Sequence, residues 1–172
     1  IGCYTLGVLP PFSAMDTCVC MGASIGVGLG LRHTLPDDEA MRVVSVIGDS
    51  TFVHSGITGL AGHGGGAVVE NDHDVAGQQE HPGTGRTLNH DPTGKISFEA
   101  LGKAMGIQNV LTLDRFTDGH RLEEVLKDLL ARPETSLIVV RQPCVLAAPK
   151  IRFYEKAALE KMSNACAAMP AE

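Results

Sequence analysis

The stretch Val43-Val44-Ser45-Val46-Ile47-Gly48-Asp49-Ser50-Thr51-Phe52-Val53-His54-Ser55-Gly56 limits the fold more than any other part of the chain. A β-branched run that stops on Gly-Asp-Ser and passes into small residues has the form of a buried parallel strand feeding a loop and a helix. In open α/β sheets the ligand crevice lies just beyond the carboxyl end of such a strand. Asp49 therefore stands where a ligand, or a metal holding one, is expected.

The remaining patterns surround this strand with more of the same kind. Met41 to Ile47 reads as the central strand, and Thr17 to Arg32, capped by Asp16 or Ser13, reads as a helix apolar on every face and hence buried. Glycines in such a helix cost about 1 kcal/mol each relative to alanine, so close backbone approach is the expected reward. Ser97 caps a helix from Phe98 to Met105 that Gly106 closes. Asn109–Leu113 and Ser136–Val140 read as strands, and His120–Ala131 as an amphipathic helix stopped before Pro133. Ile151 to Met169 reads as a charged helix or tail. Strands alternating with helices and apolar on both faces predict an α/β domain of three layers, a mostly parallel sheet covered by helices on both sides. It extends over residues 1–150, with 151–172 as a C-terminal helix or tail. Two segments resist assignment. Residues 61–76 contain Gly64-Gly65-Gly66, which disfavours both helix and strand, and Gln78 to Gly94 reads as a long loop, of a length that is commonly functional.

A chain of 172 residues can bury roughly 70% of its unfolded surface without disulfide staples. The five cysteines, Cys3, Cys18, Cys20, Cys144 and Cys166, have neither a disulfide framework nor metal spacing and read as small apolar residues of a reducing cytoplasm. The formal charge of −6 gives no basic face for nucleic acid. The longest uncharged apolar run, Thr17 to Leu31, is interrupted by glycines and short of the ~20 residues a bilayer span needs, so no membrane span is expected. No basic segment precedes it, which argues against a signal peptide. Because the chain begins on Ile1, it reads as a piece of something longer. Gly26-x-Gly28-x-Gly30 is not the Gly-x-Gly-x-x-Gly dinucleotide fingerprint, and no strand directly precedes it.

Gly48-Asp49-Ser50, followed after a helix-sized interval and a Val-Val strand by Glu70-Asn71, places a carboxylate and an amide oxygen on neighbouring strand ends. Magnesium prefers such hard oxygen ligands and keeps room for phosphate oxygens and water. Taken alone, Gly-Asp-Ser is also an ordinary strand-end turn. Joined to Gly2-Cys3-Tyr4-Thr5-Leu6-Gly7, Asp16-Thr17-Cys18-Val19-Cys20-Met21-Gly22-Ala23-Ser24, Gly77-Gln78-Gln79-Glu80-His81-Pro82-Gly83-Thr84-Gly85 and Arg141-Gln142-Pro143-Cys144, it resembles the C-terminal thiamine diphosphate domain of the indolepyruvate ferredoxin oxidoreductase alpha subunits.

The resemblance implies that Asp49 and Asn71 bind Mg²⁺, with the carbonyl of Asp72 or His73 as a further ligand. It implies that Gly48, Ser50 and Thr51 approach the diphosphate, and that Cys20, Met21, Gly22, Ala23 and Ser24 line the thiazolium and aminopyrimidine side. His54 and His81 become candidate catalytic residues, with Cys3, Tyr4 and Gln79 also on the substrate side. The implied reaction is oxidative decarboxylation of a 2-oxo acid, indolepyruvate or another aryl pyruvate, to an acyl-CoA. Its implied partners are coenzyme A, ferredoxin, a beta subunit and a pyrimidine-binding domain, in a cytoplasmic oligomer whose iron–sulfur clusters this chain does not ligate. The acid that activates the aminopyrimidine lies on another domain in this family, so the isolated chain is expected to be inactive. Between Gly48 and Asn71 the chain is also about eight residues, roughly two helical turns, shorter than the family pattern, as a deletion or local frame change would leave it. Other readings are a truncated, non-catalytic domain and a thiamine enzyme of the decarboxylase or acetolactate synthase type.

Overall fold

A computed structural model describes residues 3–61, 66–72, 83–87 and 91–141, together with 149, 152–154, 156–157 and 159–160. A 3-10 helix, Cys3–Val8, leads through a loop to α1 (Ala23–Thr34) and the single turn α2 (Asp37–Ala40). Strand β1 (Val44–Val46) then enters a continuous helical run made of α3 (Asp49–Thr51), a π-helical turn (Phe52–Gly56) and α4 (Ile57–Leu60). After β2 (Gly66–Asp72) come a hairpin of β3 (Thr84–Arg86) and β4 (Pro92–Lys95), helix α5 (Phe98–Ala104) and strand β5 (Asn109–Asp114). The turn α6 (Arg115–Asp118), helix α7 (Arg121–Leu130) and strand β6 (Thr135–Arg141) follow.

The main sheet is four-stranded, in the order β1-β2-β6-β5, and all of its pairings are parallel. Strand β6 shows why both faces are covered. Its side chains alternate: Leu137 and Val139 join Ile25, Ile47, Phe52, Leu60, Phe98 and Ile107 on one side, while Ile138 joins Leu113 and Leu129 of the α7 side. All three of these β6 residues are fully buried, as period-two alternation between two helical layers requires. The three-layer α/β architecture expected from the sequence is thereby borne out.

Ser97 accepts from the Ala100 N–H, and Gly106, at φ 86°, ends the turn after α5, so this helix has the boundaries its caps imply. At the carboxyl ends of β5 and β6, Glu99 receives Thr112 Oγ1 at 2.8 Å and Arg141 Nη2 at 2.6 Å. Partial burial pushes the Glu99 carboxyl up, yet its own backbone N–H, Thr112, Ser97 and the Arg141 guanidinium together hold it below the ordinary glutamate range.

Several expectations change. Among the described residues β1 lies at the edge of the sheet and not at its centre, with Val44 and Val46 37% and 36% exposed; β6 occupies the buried interior position. A β-branched run marks a strand but not its neighbours, which only the topology supplies. The first long helix begins at Ala23, not at residue 16 or 17, because Gly22 has φ 82°, a left-handed conformation that cannot propagate α-helix. Nor is it buried all round: Ile25 and Gly28 are its buried residues, while Val19 and Met21 in the preceding loop are 70% and 47% exposed. Cys18 and Cys20 are exposed free thiols in the same loop, not core residues. The glycine-rich segment does yield a strand: β2 starts at Gly66 and pairs on both sides, with Val69 opposite Val46 and Ile138. Two-sided ladder pairing there overrides the weak intrinsic preference of the sequence. Part of the expected Gln78–Gly94 loop is the antiparallel β3–β4 hairpin.

Within α1 the expected reward for helix glycines appears at one position. A Cβ at Gly28 would lie 2.2 Å from Ser45 Oγ, and that hydroxyl in turn donates to the Ser24 carbonyl at 3.1 Å, tying α1 to β1. Gly26 and Gly30 face open space. Denaturant titration is therefore expected to separate two chemically identical changes. Gly26→Ala should gain up to about 1 kcal/mol from helix propensity, whereas Gly28→Ala should lose ~1–3 kcal/mol from overpacking.

Candidate cofactor site

The turn from strand to helix builds the centre of the site. Gly48 is extended at φ −84°, ψ 153°, and the chain then closes its first helical turn, with Phe52 N–H donating to the Gly48 carbonyl at 2.7 Å. This swings Asp49 into the interior just past the carboxyl end of β1. Asp49 and Thr51 are fully buried, Gly48 is buried and Ser50 half-buried. Asp49 Oδ1 accepts from the Ser50 N–H at 2.6 Å, an interaction that orients the carboxylate against the helix start.

A buried carboxylate must be compensated, because transferring its charge out of water is costly. The neighbouring strand supplies one part of the setting. Register Val46 to Val69 runs β2 alongside β1, and the last residues of β2, Asn71 and Asp72, pair with Val140 and Arg141 of β6. The first turn of α3 packs against β2. Asp49 and the backbone of Asn71 thus share one end of the sheet, on adjacent strands. The Asn71 side chain lies outside the described atoms, as do those of Cys3 and Tyr4, and His73, Gln79 and His81 lie outside the described residues altogether. A carboxylate and an amide are hard oxygen donors of the kind magnesium takes, and among the described residues no three His, Cys, Asp or Glu side chains converge into a separate metal cage.

The second part of the expected set comes from the loop before α1. Cys20 and Met21 are exposed, and Gly22, Ala23 and Ser24 are half-buried at the helix start. A groove of about 840 Å³ runs along α1 and the β1 edge and is lined in part by Cys18, Cys20, Gly22, Ala23, Ser24 and Val46. Asp49, Ser50 and Thr51 do not line this groove; it reaches only the loop side of the expected residues. The loop and the helical run meet through one residue that no sequence pattern pointed to. Ser55, in the π-helical turn, lies over Gly22, where a Cβ would come 1.8 Å from its Oγ. Its hydroxyl also reaches the Met21 carbonyl at 3.5 Å and His54 Nδ1 at 3.1 Å. His54 itself is exposed. No residue pattern marks Ser55, because a π-helical turn has no residue signature of its own.

Comparison with known proteins shows the family to which this stretch belongs. Residues 1–140 match the family described as thiamine pyrophosphate enzyme, C-terminal TPP binding domain. The chain is 40% identical to the indolepyruvate oxidoreductase subunit IorA of Thermococcus kodakarensis, over 85% of this chain and 25% of that protein. It is 32% identical to the subunit of the same name from Archaeoglobus fulgidus, over 96% of this chain and 27% of that protein. The corresponding subunit of Methanothermobacter thermautotrophicus is 36% identical over 88% of this chain and 25% of its own length. The chain thus spans about a quarter of the length of the curated relatives it matches. The resemblance read from the sequence is borne out, and the family match covers the loop before α1, the Asp49 turn, β2 and nearly all of β6. By that match the chain belongs to the thiamine pyrophosphate enzymes, as their C-terminal TPP binding domain.

Proposed function

We propose that this chain is the thiamine diphosphate and Mg²⁺ binding part of a cytoplasmic 2-oxo acid oxidoreductase that converts indolepyruvate, or a related aryl pyruvate, to an acyl-CoA and passes electrons to ferredoxin. The observation that carries the reading is the fully buried Asp49 carboxylate at the end of β1, within a stretch matched to a thiamine pyrophosphate family. The names of the relatives, indolepyruvate oxidoreductase subunits, support the substrate class.

In this reading Asp49 and Asn71 hold the metal together with the carbonyl of Asp72 or His73. Gly48, Ser50 and Thr51 present backbone and hydroxyl groups to the diphosphate, at a helix start where amide N–H groups are not yet used. Cys20, Met21, Gly22, Ala23 and Ser24 form the wall beside the thiazolium and aminopyrimidine rings. His54 and His81 serve the substrate side, with Cys3, Tyr4 and Gln79. Residues 1–150 form the cofactor domain and 151–172 a C-terminal helix or tail. When bound, the cofactor supplies the electron sink for loss of CO₂ from a 2-oxo acid; the chain's own task is to position it, neutralise its diphosphate through the metal, and keep the reacting face apolar. Activation of the aminopyrimidine, the iron–sulfur relay and the contacts with coenzyme A and ferredoxin belong to a pyrimidine-binding domain, a beta subunit and other parts of an oligomer.

Calorimetric titration of the chain with thiamine diphosphate in the presence of Mg²⁺ is expected to give saturable binding that disappears when the metal is chelated. A folded chain, verified by circular dichroism, that releases no heat would overturn the cofactor role and leave a non-catalytic domain. Turnover of indolepyruvate by the chain alone is not expected.

A further inference from the structure

The contact between Ser55 and His54 has a chemical direction that the cofactor reading does not use. His54 Nδ1 lies 3.1 Å from Ser55 Oγ, and Ser55 Oγ lies 3.5 Å from the carbonyl oxygen of Met21. A carbonyl can only accept. A hydroxyl has one proton to give and can accept in turn, and a neutral imidazole donates from one nitrogen while accepting at the other. One arrangement therefore serves every atom: Nδ1–H donates to Ser55 Oγ, and Ser55 Oγ–H donates to the Met21 carbonyl. The reverse arrangement commits the hydroxyl proton to Nδ1 and gives up the 3.5 Å contact, leaving the carbonyl to solvent.

The packing leaves room for the serine at this place. Gly22 has φ 82° and no side chain, and the space a Cβ would take is occupied by Ser55, whose Oγ and Cβ would stand 1.8 Å and 2.8 Å from it. Ser55 also sits inside the π-helical turn Phe52–Gly56, between Phe52, fully buried, and Gly56, buried against Ile47 and Phe52. Among the described residues, the His54 ring makes no second polar contact.

We infer that Ser55 is a positioning residue that holds neutral His54 in the Nδ1-protonated tautomer and so presents Nε2 as a hydrogen-bond and proton acceptor beside the Met21–Gly22 loop. The nitrogen that carries the proton is decided by the partner of the other, as in any oriented histidine. The consequence for catalysis rests on the proposed placement of that loop against the cofactor: a base-ready Nε2 there accepts from an O–H, N–H or S–H donor of the reacting species. A histidine in the opposite tautomer would meet the same species with a donor.

The test uses the apo chain, so it stands or falls apart from cofactor binding. Long-range ¹H–¹⁵N correlation spectra of the histidine side chains, taken well above the ordinary histidine pKa of about 6.5 and assigned through loss of one spin system in His54→Gln, are expected to show His54 with its proton on Nδ1. In Ser55→Ala the resonances should move to the Nε2-protonated pattern that an unconstrained imidazole favours. A wild-type His54 protonated on Nε2, or a Ser55→Ala spectrum unchanged from wild type, would overturn the inference. Should Ser55→Ala fail to fold, the wild-type tautomer alone decides. Calorimetry that finds no cofactor binding while the Nδ1 tautomer is present would remove the proposed function and leave the tautomer assignment standing.

Discussion

Replacing Asp49 with asparagine is expected to reduce the affinity for thiamine diphosphate in the presence of Mg²⁺ by more than about 100-fold, since even outer-shell partners of metal ligands cost 10–100-fold when removed. Asparagine keeps the shape of the side chain and an oxygen able to accept from the Ser50 N–H. The loss should therefore appear in calorimetric titration with little change in the circular dichroism spectrum. It also separates two roles of a buried acid. A carboxylate that only caps the helix start costs ~1 kcal/mol when changed and leaves cofactor affinity nearly intact. Affinity within a few-fold of wild type in the folded variant would remove Asp49 from the metal site.

The largest effect on stability is expected three residues further on. Phe52 has no exposed surface, and its ring meets Phe98 edge to face, with centroids 5.5 Å apart and planes at 74°. Such pairs add to the burial of the rings themselves. Phe52→Ala should cost ~3–5 kcal/mol, a large share of the ~5–15 kcal/mol that holds a domain of this kind folded. Chemical denaturation should show the midpoint falling with the slope little changed. Phe52→Leu should cost clearly less, because it keeps most of the buried volume. The position matters for the site because Phe52 follows the Asp49 turn directly and anchors it, through Phe98, to α5. A Phe52→Ala midpoint within error of wild type would mean that the turn is held by other contacts.

How much of this could be read from residue order differs from element to element, for reasons that are local. The Gly48-Asp49-Ser50 stop, the Ser97 cap, the Gly106 closure and the three-to-four-residue spacing of Leu122, Val125, Leu126 and Leu129 are short-range signals, and the structure obeys them. The edge position of β1 is not a short-range property. Val44 and Val46 would look the same in a central strand, and their exposure follows from strand order alone. The Val68-Val69 pair before Glu70 does signal strand β2, but Gly66 blurs where it starts, since that end depends on partners at β1 and β6 and little on its own propensity. The helix start after residue 16 is not legible because apolar composition alone implies burial, while a single left-handed glycine sets where the helix begins. Ser55 is not legible in residue order because its contacts are three-dimensional: it touches Met21, Gly22 and His54 from a turn whose π-helical geometry is not written in any residue pattern.

The order of strands also sets how the two halves of the sheet are joined along the chain. Strands β5 and β6 pair across the short α6–α7 connection, so their ladder closes a modest loop. Strand β2 reaches β6 only after the chain has travelled from Asp72 to Thr135, and the entropy lost in closing a loop grows with its length. Strands β1 and β2 pair across an interval of similar length, so each half of the sheet closes locally and the long-range step is the joining of β2 to β6. A ligand that bridges the ends of β1 and β2 reinforces a pairing the chain already closes locally, and leaves the β2–β6 seam to the core alone.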